Sequence, residues 1–148
     1  MAAGLVLRAE CLEEFRTAFD REVGRALGGT TPARELLTDG ALEAAMLDLE
    51  TAEALRAAGP WGAGFPEPTF DGEFEVQDFR TVGTGHLKLR VSPPDVDRPM
   101  DAIAFNAPEP LRRDPGRRVR LVYRLDVNEY RGRRSPQLVI EHCEPVES

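Results

Sequence analysis

From Phe70 onward, apolar residues recur at every second position in five separate stretches: Phe74 and Val76; Leu87, Leu89 and Val91; Ile103 and Phe105; Leu121, Tyr123, Leu125 and Val127; Leu138 and Ile140. Successive side chains of a strand point to opposite faces, so this period of two predicts five strands, each with one face toward a common core. Turn residues separate them, and the longer connections at 93–100 and 108–116 match the uneven loops of a small closed OB-type barrel. Closure also leaves no free sheet edge. The expectation is a five-stranded antiparallel barrel.

The first third of the chain follows another period. Leu12, Phe15, Phe19, Val23 and Ala26 recur at spacings of three and four, with Glu13, Glu14, Arg16, Asp20, Arg21 and Arg25 between them. That pattern predicts an amphipathic helix, ended by Gly28-Gly29. Ala2 to Leu7 reads as a short strand, as does Glu35-Leu36-Leu37; Asp39-Gly40 reads as a turn, and a second helix runs from about Leu49 to Ala58. This is little material with which to cover the Leu12/Phe15/Phe19 face, so a further domain or chain is expected to do so. Gly59-Pro60-Trp61-Gly62-Ala63-Gly64-Phe65-Pro66 excludes regular structure. The Trp61 ring is expected to pack against the barrel or the second helix. The fold class is therefore α+β, with a small N-terminal part at 1–58, a linker at 59–69 and the barrel at 70–148.

Charge changes the picture of the barrel. The whole chain carries a net charge of −7, which argues against coating a polyanion with its entire surface. Residues 112–134, however, hold nine arginines against three acidic side chains. The positive potential is local. Cys11 and Cys143 lie far apart outside any paired motif, which indicates neither a disulfide framework nor a zinc site. No leader or membrane-length apolar run stands out, so a cytoplasmic location and no membrane partner are expected.

If Leu87, Leu89 and Val91 face inward, His86, Lys88 and Arg90 face outward. On OB folds this surface, with the loops after strands one and four, binds oligonucleotides. Those loops would be 82–85 and 129–134, where Arg131, Arg133 and Arg134 could meet phosphates and Tyr130 could stack on a base. The plainer reading, that these are ordinary solvated residues, stays open. Arg120 and Arg124 on the fourth strand either extend the basic track or, the preferred reading, pair with Glu141 across the sheet. Hydrolysis needs metal ligands or a nucleophile with a base, and neither His86 nor His142 has a carboxylate motif of the metal-binding kind beside it, nor does a phosphate-cradling glycine loop precede a helix. No catalytic or metal-binding residue is assigned.

Several separated motifs together resemble the C-terminal region of the RecJ family, single-strand-specific DNA exonucleases of the DHH phosphoesterase superfamily. They are Gly59-Pro60-Trp61-Gly62-Ala63-Gly64-Phe65-Pro66-Glu67-Pro68-Thr69-Phe70; Val82-Gly83 with His86-Leu87-Lys88; Asp101-Ala102-Ile103-Ala104-Phe105-Asn106; and Tyr123 through Gly132 with Gln137-Leu138. Phe65 stands where many members have asparagine. Met1-Ala2-Ala3-Gly4-Leu5 resembles the end of that family's Gly-Gly-His-x-x-Ala-Ala-Gly segment. The resemblance implies a DHHA1 remnant at 1–58, an OB domain after it, and a catalytic DHH domain that this chain lacks. It also implies a parent enzyme that degrades single-stranded DNA from its 5′ end in recombination and repair with Mn2+ or Mg2+, and no cofactor in this chain. Expected partners are single-stranded DNA, and a DHH catalytic domain or single-strand-binding protein if the chain serves as a docking module.

Overall fold

The computed structural model describes residues 4–29 and 35–147. The chain divides into two compact units, Met1–Leu36 and Leu37–Ser148. In the first, a 3-10 turn at Ala9–Cys11 leads into helix α1, Leu12–Ala26. The helix closes through Gly28 and Gly29, both at positive φ (64° and 78°), as the sequence predicts. Of the expected strand at 2–7, residues 4–7 form no strand and the rest lies outside the described residues. Leu12, Phe19 and Val23 on the apolar stripe are exposed.

The second unit contains helix α2 (Leu49–Ala57), strands β1 (Phe70–Val82), β2 (His86–Ser92) and β3 (Met100–Ala104), a short helix α3 (Glu109–Arg113), and strands β4 (Arg118–Tyr130) and β5 (Arg133–Pro145). The strands close a barrel in the order β1-β2-β3-β5-β4. All pairs are antiparallel except β3 with β5, which run parallel. The expected all-antiparallel barrel is corrected here for a simple reason. Directions alternating around a closed ring require an even number of strands, so five must leave one parallel pair.

The core confirms most inward positions: Leu87, Leu89, Val91, Leu121, Tyr123, Leu125, Val127, Leu138 and Ile140 are buried. Phe74 meets Tyr123 edge-on, with centroids 5.5 Å apart. Strand β3 has the opposite phase to the one expected. Met100, Ala102 and Ala104 are buried, whereas Phe105 just beyond the strand is exposed. The register explains the choice: Ala102 lies between Leu89 and Leu138, and Ala104 between Leu87 and Ile140. A barrel this narrow has room for small residues between large neighbours, and Ile103 or Phe105 turned inward would overfill it.

The domain boundary also differs from the sequence reading. Leu47 and Ala52 are buried in the barrel's own core cluster, with Leu42, Leu49 and Leu55 packed against it. Arg56 donates to Asp126 Oδ1 at 2.7 Å and to the Val127 carbonyl, and Arg98 donates to the Leu47 carbonyl. Residues 37–58 therefore belong with the barrel rather than with α1. Glu35-Leu36-Leu37 forms no strand. Instead Asp39 N–H donates to the Thr69 carbonyl (2.7 Å) and Asp71 N–H to the Gly40 carbonyl (3.1 Å), tying the segment to the start of β1 without a ladder. Trp61 is half-buried against Phe65, centroids 4.8 Å apart, in a small turn bridged between Gly62 and Phe65.

Candidate nucleic-acid interface

The strand pairing places the proposed loops relative to the β2 face. Leu87 lies opposite Ala104 and Val91 opposite Met100, so the 83–85 turn and Phe105 leave the sheet at the same end. Strand β5 runs parallel to β3 with Gln137 level with Asp101, so the β4–β5 turn lies toward the other end. The outward face of β2 and β3 lies between these two turns. His86, Lys88 and Arg90 all occupy it.

Each of the three has a local partner. The His86 ring meets Phe105 edge-to-face at 5.3 Å, and its Nδ1 accepts the Asn106 N–H at 3.1 Å. Lys88 Nζ is 3.3 Å from Asp101 Oδ2, and Arg90 Nη1 is 3.7 Å from Oδ1 of the same carboxylate. One acid thus offsets two cations. Arg80 on β1 is the Cα partner of Lys88 and adds a further cation. Asp78, Arg80, Lys88, Leu89, Arg90 and Asp101 line a shallow cleft of about 210 Å3.

Sequence periodicity misses Arg80 because a β-bulge between Val76 and Asp78 reverses the phase of β1. The acids Glu73 and Glu75 take odd outward positions before it, and Arg80 takes an even one after it. Arg112 is a second cation outside the expected set. It rests over the 83–85 turn, where a Cβ on Gly85 would stand 3.7 Å from its Nη1.

The β4–β5 turn is tight, with Arg131 and Gly132 at φ 50° and 73°. Tyr130 is exposed with the Arg131 guanidinium 5.1 Å from its ring centroid, and Arg133 is exposed opposite it. Arg134 instead pairs with Glu53 of α2 at 2.7 Å. Arg120 and Arg124 lie on β4, which β1 separates from β2 on one side and β3 and β5 on the other. They are not brought together with Lys88 and Arg90. Arg124 Nη1 donates to Glu67 at 2.8 Å, and its Nε is 2.9 Å from Glu141 but off the N–H line. The Glu67 bond, with both carboxylates nearby, raises its pKa further above the ordinary arginine range. This ion cluster lines a cleft of about 560 Å3 on a different face, with Asp39, Pro66 and Thr69. Arg120 stands exposed between Glu73 and Glu144 in register.

Among the described residues, no group of three or more His, Cys, Asp and Glu gathers to hold a metal ion. Burial, with Glu144 nearby, pushes the Cys143 thiol up to about 12, so it is protonated and a poor nucleophile at neutral pH. Among the described residues no helix is long and apolar enough to cross a membrane.

Known proteins resemble this chain in sequence and in fold. A Dickeya dadantii protein described as single-stranded-DNA-specific exonuclease RecJ is 48% identical over 147 residues, which are 99% of this chain and 26% of that protein. The Escherichia coli protein of the same description is 43% identical over the same shares. The chain thus spans about a quarter of the length of the curated relatives it matches. The crystal structure of Thermus thermophilus RecJ in complex with Mn2+ superimposes with a TM-score of 0.64 at 21% identity, covering 92% of this chain and 20% of that one. A second, in complex with Mg2+, gives 0.58. These agree in fold, and the metals belong to those proteins. Residues 38–142 match the family model of the RecJ OB domain, a span that takes in α2 with the barrel, and the chain belongs to that family.

Proposed function

We propose that this chain is the single-stranded-DNA-binding C-terminal portion of a RecJ-type 5′-to-3′ exonuclease acting in recombination and repair, with phosphodiester cleavage carried out by a separate, metal-dependent DHH domain. One observation carries the reading: Arg80, Lys88 and Arg90 project from neighbouring strands into one cleft that lies between two exposed turns. Phosphate contacts there, with stacking at Tyr130, hold an unpaired strand with little base preference. The local cations act although the whole chain is negative, because charges farther off than about 10 Å are largely screened at moderate salt. A cytoplasmic location accords with this role.

The test is a fluorescence titration of the chain with single- and double-stranded oligonucleotides across a salt series. Single strands are expected to bind in preference to duplex. Each phosphate that is no longer neutralised should flatten the log–log salt slope by about 0.7, so replacing Lys88, Arg90, Arg131 and Arg133 with alanine lowers it stepwise. A slope indifferent to all four replacements removes them from the binding surface.

A second reading, a protein-docking module, is favoured by the exposed Leu12, Phe19 and Val23 of α1. Here the chain attaches to a DHH catalytic subunit or a single-strand-binding protein. Recovery of such a protein with the chain, together with no measurable oligonucleotide binding, selects it over the first.

A further inference from the structure

We propose that Phe105 is a base-stacking platform on the basic face, an inference that rests on the single-strand-binding reading above and adds an interaction which that reading does not contain. The phase of β3 is its origin. Because Ala102 and Ala104 take the inward positions, Ile103 and the residue following the strand, Phe105, stand on the outward side with Lys88 and His86. Phe105 is 57% exposed, a large aromatic that the core does not use.

Its position is held from two directions. His86 braces the ring edge-to-face at 5.3 Å and an interplanar angle of 75°. The chain turns away immediately after it, with Asn106 at φ 50° and its N–H bonded to His86 Nδ1. A ring with few rotatable bonds, fixed in pitch and open to solvent, loses little entropy when a base settles on it. Lys88 is paired in register with Ile103, two residues back along β3. That step is about 7 Å, which sets a cation beside the aromatic surface. The two exposed aromatics on the barrel strands are placed differently. Tyr130 already has Arg131 over its ring, and Phe79 is paired with the inward-facing Leu89.

The experiment compares two ligands of equal length on the complete chain: labelled oligothymidylate, and the same phosphodiester backbone carrying abasic residues throughout. The unaltered chain is expected to bind oligothymidylate more tightly. Phe105→Ala should weaken oligothymidylate binding by roughly ten-fold while leaving abasic binding and the salt slope unchanged. Phe105→Leu, which keeps apolar bulk without a π-face, should behave as the alanine variant, and Phe105→Trp should retain affinity. Lys88→Ala serves as the contrast, losing affinity for both ligands and flattening the slope.

Equal losses on both ligands, or no loss on oligothymidylate, overturn the stacking role while leaving the phosphate-binding surface intact. Restoration of affinity by leucine would also overturn it, since bulk alone would then suffice. Failure of the unaltered chain to bind either ligand overturns both this inference and the reading beneath it.

Discussion

Arg131, proposed above as a phosphate contact, sits in a strained turn. Its φ of 50° is a left-handed conformation that a side chain with a Cβ adopts at a cost, and Gly132 beside it is at 73°. Asparagine followed by glycine suits such a two-residue hairpin best. Arg131→Asn is therefore expected to raise stability by about 0.5–1 kcal/mol, read as a higher urea midpoint at unchanged m-value, while weakening single-strand binding and flattening its salt slope. A variant that loses stability shows that the arginine side chain supports the hairpin. Arg131 was legible in the sequence as a loop cation, but its strain was not, because φ is set by how the two strands meet. Arg124 illustrates the same limit from the other side. Its pairing with Glu141 follows from adjacent strands, whereas the shorter bond to Glu67 comes from an irregular segment whose course no periodicity encodes.

Among the elements, α2 is recognisable from its sequence but its allegiance is not. The Asp48 side chain caps it by accepting the Thr51 N–H at 2.8 Å, and its predicted span agrees closely with Leu49–Ala57. Whether its apolar side meets α1 or the barrel depends on tertiary packing, and Leu47 and Ala52 settle it by entering the barrel core. A chain beginning at Leu37 is accordingly expected to unfold in one cooperative transition. One beginning at Gly59 uncovers the core beneath α2 and should aggregate or melt without cooperativity. Circular dichroism during heating distinguishes them, and a cooperative 59–148 fragment would show that the linker boundary suggested by composition is correct. Strand β3 is legible as a strand, but its inward face is not. Apolar residues stand on both phases, Ile103 and Phe105 on one and Met100, Ala102 and Ala104 on the other, so the larger side chains suggest the wrong face and the decision falls to volume inside the ring.

For the molecule as a whole, function depends on how charge is distributed over the surface. The net charge is −7, yet Arg80, Lys88 and Arg90 share one cleft with Asp78 and Asp101. Asp101 lies within ion-pairing distance of both Lys88 and Arg90 and holds them at the surface. Asp101→Asn removes a charge of the same sign as the ligand and frees two cations. It should tighten single-strand binding several-fold at low salt and steepen the salt slope, as measured by the same titration. No change in either quantity would place the polynucleotide elsewhere on the surface. The outward direction of His86, Lys88 and Arg90 was readable because β2 is regular throughout. Arg80 joins them without a signal in the alternation, because one extra residue in β1 reverses every side chain beyond it.

The amino-acid sequence by itself determined the five barrel strands and the two longer helices, which face of β2 is wet, and the resemblance that named the family. Those properties are local, since hydrophobic periodicity and turn chemistry act over a few residues. The tertiary structure alone decided the parallel β3–β5 pair, the inward alanines, the bulge that recruits Arg80, and the attachment of α2 to the barrel. Each of these follows from closing a small ring and filling it at fixed volume, a condition that couples residues far apart in the chain.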